Sequence, residues 1–283
     1  WHAVFILVRL LYSEILFFNC YQFRSQFMLT IAVCLKYVRS ELLSEKQLND
    51  LKYSINPYDL FMLEQIIAFK RIVPSRIVGI VMGPMECSEA TKRSIAMGID
   101  DLYLISDPCF SGSDTYATSY ILSCALKKVG KIDMYAFGEK ALDGETGQVP
   151  IGVASRLNLP YVTGIKKIIA YSDECIQLER QFMQKTEGLL QPVPFVLCFH
   201  GFSTFGTEIN LAMLKKAQKY SPILINANSL QLNKQCCGQS GSKTKVISIE
   251  KKIPQRCSKI LDGTSKEKAD MFQILLSKGG SRA

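Results

Sequence analysis

Residues Arg76 to Met82 read R-I-V-G-I-V-M, Cys87 to Met97 read C-S-E-A-T-K-R-S-I-A-M, and Asp101 to Ile105 read D-L-Y-L-I. The outer two are short aliphatic, β-branched runs of strand length, the first closed by Gly83-Pro84. The middle one is a helical stretch that Gly98 stops. Strand, helix and strand in succession make a βαβ unit, whose two strands lie parallel in one sheet. The same rhythm extends in both directions. Leu29–Leu35 reads as a strand, and Tyr58–Lys70 as a helix with Leu60, Leu63, Ile66 and Ile67 on one face. Thr115–Val129 reads as a helix with Gly130 after it, Met134–Gly138 as a strand, and Gly147–Leu157 as a helix ending before Pro160. The expected class is α/β, a parallel sheet with flanking helices.

After Pro160 the rhythm changes. Val162–Tyr171 and Glu174–Met183, separated by Ser172-Asp173, predict a β-hairpin excursion. Phe195–Phe199 reads as a strand, Glu208–Lys219 as a helix and Pro222–Asn226 as a last short strand. Residues 227–263 are polar, basic and rich in Ser, Gly, Lys and Gln, which predicts an arm that buries little. Lys266–Lys278 closes as an amphipathic helix with Ala269, Phe272, Leu275 and Leu276 on one side. The expected division is therefore an α/β domain over 28–226 and a basic C-terminal arm over 227–283. Residues 1–27 are apolar but interrupted by Arg9 and Glu14, and Asn19-Cys20-Tyr21-Gln22-Phe23 offers no cleavage site for a signal peptide. Met28 looks like a start leading into a buried strand. The first 27 residues then read as an upstream or added extension, with a membrane-associating helix as the alternative.

The chain has 283 residues, 48% hydrophobic and 21% charged, which excludes wholesale disorder and a polytopic membrane protein. Ten cysteines without a C-x-x-C pair, several of them inside apolar runs, point to a reducing, cytoplasmic compartment. With only two histidines, a zinc site is not expected. The net charge of +9 is uneven. Residues 206–283 hold 14 Lys+Arg against 5 Asp+Glu, which leaves 20 against 20 in residues 1–205. Such a tail suits an acidic protein partner, nucleic acid or an anionic membrane, or is a solvated surface. Aromatic residues are scarce there, so base stacking and nucleic-acid binding are not expected.

Two loops carry the chemistry. Gly138-Glu139-Lys140-Ala141-Leu142-Asp143-Gly144-Glu145-Thr146-Gly147-Gln148-Val149-Pro150 joins a strand to a helix at the carboxyl edge of the sheet, where open α/β sheets bind ligands. Glycines admit a ligand close to the backbone, and free amides at a helix start attract phosphate. A plain strand–helix loop has a similar composition. Ser111-Gly112-Ser113-Asp114-Thr115-Tyr116-Ala117-Thr118-Ser119 joins another strand to a helix, and Asp114 or Ser113 there also reads as an N-cap. Gly238–Thr244 looks like a phosphate loop but has Cys237 and Ser242 where the pattern needs glycine. His200, Gly201 and Ser203 have no G-x-S-x-G elbow around them.

At these residues the chain resembles the beta subunit of electron-transfer flavoproteins, including the FixA-type proteins. The likeness rests on Cys34-Leu35-Lys36, Ser54-Ile55-Asn56-Pro57-Tyr58-Asp59, Met82-Gly83-Pro84 and Ser94–Asp100. Ser106–Tyr120 is similar to S-D-x-x-F-x-G-A-D-T-x-A-T-S-Y, and Gly138–Pro150 to G-x-Q-A-I-D-G-D-T-x-Q-V-G-P. It covers nearly all of residues 28–283 and is strongest over 54–163. The resemblance implies a Rossmann-like fold of the adenine nucleotide alpha hydrolase type and a heterodimer with an alpha subunit that carries FAD. This subunit would hold AMP in simple members, or a second FAD in electron-bifurcating ones. Its S-D…A-T-S-Y version resembles the bifurcating members.

Carried over by motif position, the nucleotide site comprises Cys34, Asn56, Tyr58, Asp59 and Met82, with Gly138, Lys140, Asp143, Gly144, Glu145, Thr146, Gln148 and Val149. Asp114, Thr115 and Thr118 join it where a flavin replaces AMP. A partner-recognition loop falls near Thr207–Lys216, with Ile209 in place of an anchoring leucine. The implied partners are the alpha subunit, an acyl-CoA dehydrogenase, and ferredoxin or flavodoxin, without nucleic acid or stable membrane insertion. The implied function is electron transfer between NADH, ferredoxin or flavodoxin and the dehydrogenase, or an AMP-binding docking role in a simple carrier. Cys34–Ser40 departs from the family's C-x-K-Q-V-P-D, Lys140 replaces a glutamine, and Ile151 stands at a proline position. These changes bear on cofactor contacts more than on fold.

Overall fold

The structure is a computed structural model that describes residues 28–43, 52–204, 209–248 and 261–279. Strand β1 (Leu29–Leu35) is apolar and buried at every position but Thr30, because both of its faces are covered. It lies between β4 (Ser75–Met82) and β6 (Met134–Gly138), parallel to both. The sheet order is β11-β5-β4-β1-β6-β10-β7-β8-β9, with β5 (Asp101–Ile105), β7 (Tyr161–Ser172), β8 (Cys175–Phe182), β9 (Lys185–Pro192), β10 (Phe195–Phe199) and β11 (Ile223–Ile225). Pairs from β11 to β7 are parallel, and the meander β7-β8-β9 is antiparallel.

Helices α1 (Pro57–Lys70) and α2 (Ser88–Met97) pack on one face of the sheet, where Leu63, Ile66 and Ile95 meet Ile31, Val33 and Leu35. Helices α3 (Thr115–Val129) and α4 (Val149–Leu157) cover the other face, where Ile121, Ala125 and Val153 meet Ala32, Val78 and Ile80. The expected α/β class therefore holds, with the helices in two layers around one sheet. From β1 the chain crosses by α1 to β4, and from β6 it departs by α4 in the opposite direction. The carboxyl ends of β1 and β6 thus flank the point where the strand order reverses, the place where such sheets form a crevice.

Several boundaries differ from the sequence reading. The hairpin turn is Asp173-Glu174, one residue later than expected, and both residues have positive φ (50° and 60°), as a two-residue turn of primed type needs. Strand β9 escapes the pattern because it is an edge strand, polar and mostly exposed. A small antiparallel pair, β2 (Tyr37–Arg39) and β3 (Tyr53–Ile55), was also not foreseen. Helix α5 spans Leu211–Gln218. The compact unit continues through Lys245, beyond the boundary expected at 227. Although 227–245 is polar, Ala227 and Cys237 are buried in the cluster under α3. The second unit contains α6 (Ser265–Gly279), on which Met271, Phe272 and Ile274 are exposed. The reading of residues 1–27 lies outside the described residues.

Candidate functional site

The crevice is built where α1 begins. Pro57 occupies the first helical turn, which its fixed φ suits, and Asn56 precedes it, fully buried. The Asn56 backbone N–H donates to the Lys36 carbonyl at the end of β1 (2.9 Å). Its side-chain amide donates to the Lys140 carbonyl (2.7 Å) and accepts from the Leu142 N–H (3.3 Å). Asn56 thereby fastens the loop after β6 to the end of β1. Asp59, one turn into α1, accepts from the Lys36 N–H (2.8 Å) and from the backbone of Gly138. Burial pushes its carboxyl up to about 7, although bonds from Lys36, Asn56 and Gly138 oppose the shift. Gly138 is required here, since a Cβ would overlap the Asp59 carboxylate and the backbone of Tyr58 and Asp59.

The loop beyond Gly138 is exposed from Asp143 to Thr146. Lys36 Nζ meets Asp143 Oδ1 at 2.6 Å, and Lys140 Nζ lies 3.6 Å from Glu145 and 5.5 Å from the Tyr58 ring. Glu145 and Tyr58 raise the Lys140 ammonium pKa. Glu145 and Gly147 take positive φ, and open space surrounds Gly144. Helix α4 starts at Val149-Pro150 with no side chain capping its first amides. Cys34, next to last in β1, is a buried thiol whose pKa burial pushes up, so it packs and does not act as a thiolate. Met82 is half-buried at the end of β4.

The second loop joins this one through Thr115, whose hydroxyl lies 3.0 Å from Gln148 Oε1. Arg156 of α4 stacks over Tyr116 (4.4 Å) and donates to Ser119 Oγ (3.2 Å). Asp114 caps α3, its Oδ1 accepting from the Ala117 N–H (2.9 Å). Its Oδ2 accepts from the Lys243 N–H (2.7 Å), the Thr244 N–H (2.9 Å) and the Thr244 hydroxyl (3.1 Å). Partial burial raises the Asp114 pKa, and these bonds outweigh it and hold the carboxyl low. Thr118 is half-buried in the first turn, its N–H bonded to the Asp114 carbonyl.

The structure thus gathers Cys34, Asn56, Tyr58, Asp59 and the 138–149 loop around one crevice, with Met82 on a neighbouring strand end and Thr115 linked to the rim. Asp114 instead serves the chain's own 243–244 segment. Ile209 is half-buried against the core, and the exposed apolar side chains nearby are Leu211, Met213 and Leu214. Sequence reasoning missed the contact of His200 Nδ1 with Glu139 Oε2 (2.7 Å) and the Tyr58–Phe202 ring contact (5.2 Å). Neither left a signal in spacing.

The exposed Gly-rich loop, uncapped α4 amides, two lysines and a hydroxyl fit the phosphate-bearing half of an adenine nucleotide. The sheet order and its flanking helices define a doubly wound α/β protein. The comparisons sharpen that class. Residues 47–194 match the family model described as the electron transfer flavoprotein domain. Electron transfer flavoprotein subunit beta of Thermoanaerobacterium thermosaccharolyticum is 32% identical over 220 residues, 75% of this chain and 82% of that protein. Caffeyl-CoA reductase-Etf complex subunit CarD of Acetobacterium woodii is 32% identical over 194 residues, 68% and 74% of the two chains. Protein FixA of Bradyrhizobium diazoefficiens is 36% identical over 143 residues, 48% of each. The chain belongs to the electron transfer flavoprotein family, as a beta-type subunit of an electron-transport flavoprotein. Among the described residues no helix is long and apolar enough to cross a membrane.

Proposed function

We propose that this chain pairs with an alpha subunit and holds FAD in the crevice between β1 and β6. The pair would take two electrons from NADH, pass one to ferredoxin or flavodoxin and the other through the alpha subunit to an acyl-CoA dehydrogenase. The carrying observation is the knot of Asn56 and Asp59, which fixes an exposed, cation-bearing loop and an uncapped helix start on one rim. Asn56, Asp59 and Gly138 shape the floor. Lys36, Lys140, Thr146 and the α4 amides receive the phosphates, and Tyr58 lines the entrance. A bound flavin would supply the redox chemistry, whose potential these charges and the burial of the site tune. The CoA-ester reductase in the name of the CarD relative supports an acyl-CoA dehydrogenase as acceptor. The basic C-terminal region and Ile209 are proposed as docking elements for the alpha subunit and the acceptor.

A second reading has its own observation. Because Asp114 is occupied by the 243–244 segment, an AMP in the crevice and a purely docking role need no rearrangement. The test is NADH oxidation by the full heterodimer in the presence of ferredoxin and the dehydrogenase. Equal electron flow to both acceptors is expected. Failure to oxidise NADH, with dehydrogenase electrons still accepted, would favour the AMP reading.

A further inference from the structure

The segment Cys237–Thr244 is laid across the start of α3 and fastened there along its length. The Gly238 N–H donates to Ser113 Oγ (3.1 Å), and the Gln239 N–H to the Ser111 carbonyl (3.1 Å). The Ser242 hydroxyl accepts from the Asp114 N–H (2.8 Å) and lies 3.0 Å from the Gly112 carbonyl. Lys243 and Thr244 then place three donors on one Asp114 oxygen. Gly238 has φ +57°, and a Cβ there would overlap the Cys109 carbonyl, so the approach is as close as glycine allows. Outside, Lys243 Nζ lies 5.2 Å from the Tyr116 ring, which Arg156 also stacks upon. Ser242 and Thr244 take no part in the crevice between β1 and β6.

The rim runs continuously from that crevice to this strap, through the contact of Gln148 with Thr115. On the nucleotide reading, a mononucleotide takes its contacts from the 138–148 loop and the α4 start. A dinucleotide continuing along this rim meets the α3 start, where Asp114 Oδ2 already accepts three bonds from the strap and Oδ1 accepts from the Ala117 N–H. We propose that the strap Cys237–Thr244, latched by Asp114, selects between nucleotide lengths: AMP enters with the latch closed, and a dinucleotide such as FAD enters only when Lys243 and Thr244 release Asp114. This inference rests on the nucleotide reading of the crevice and adds the specificity device to it. The apparent affinity for a ligand that needs the open strap is lowered by the fraction of molecules in which it is open. Loosening the latch therefore tightens FAD binding and leaves AMP binding alone.

The experiment titrates the full chain and its Ser242→Ala/Thr244→Val variant with AMP and with FAD, and follows amide hydrogen exchange at Lys243 and Thr244. The variant, which loses the Thr244 hydroxyl bond to the Asp114 carboxylate and the Ser242 hydroxyl bonds beside it, is expected to bind FAD more tightly by about tenfold or more, with AMP affinity unchanged. The two amides are expected to be protected in the free and AMP-bound chain and to exchange rapidly with FAD bound. Unchanged or weakened FAD binding beside normal AMP binding, or amides still protected with FAD bound, overturns the latch and leaves the crevice reading standing. Absence of binding by either nucleotide to either protein overturns both.

Discussion

Asp59 concentrates the chemistry of the crevice in one side chain, because it is buried, ionisable and bonded to the ends of two strands. Its pKa is raised in the fold from 3.8 to about 7, so between those values the folded chain keeps a proton that the unfolded chain has lost. The stabilising effect is complete at low pH and lost as pH rises through about 7. Denaturant midpoints are expected to fall between about pH 4 and about pH 7, and Asp59→Asn is expected to flatten that dependence. An identical slope in the variant would show that another group titrates. Gly138→Ala forces a Cβ onto the same carboxylate and is expected to destabilise the chain by about 2–3 kcal/mol, read from the unfolding midpoint. These residues were legible only through their motif. Nothing in the spacing shows that Lys36 meets Asp143, 107 positions away, because such a pairing exists only after the strands have been ordered.

The parallel strands were readable because burial on both faces leaves only apolar residues, as in Ile77–Val81 or Phe195–Phe199. Strand β9 was not, since an edge strand with Lys185, Glu187 and Gly188 needs no apolar alternation. The segment 227–245 misled for a related reason: its few buried residues, Ala227, Cys237 and Gly238, are too small to stand out in a polar run. A chain ending at Lys245 is expected to unfold within about 1 kcal/mol of the full chain, because the compact unit is retained. One ending at Asn226 uncovers the α3 cluster and strips three donors from Asp114, and is expected to lose about 3 kcal/mol or more. Equal stability of the two truncations would return the boundary to 227.

Charge belongs to the whole molecule. The Lys and Arg excess of the last 78 residues, 14 against 5, is a field and not a site, and its expected use is docking. Association with the alpha subunit is expected to weaken as salt rises, more steeply for the full chain than for a chain ending at Lys245; equal slopes would place the docking charge elsewhere. The crevice makes a simpler demand on the assembled protein. The most direct measurement is the nucleotide content of the heterodimer, co-expressed with its alpha subunit, denatured and separated by chromatography. Two FAD per heterodimer is the expected result. One FAD with one AMP would contradict a flavin in this subunit, and a single FAD with no second nucleotide would contradict the crevice as a nucleotide site.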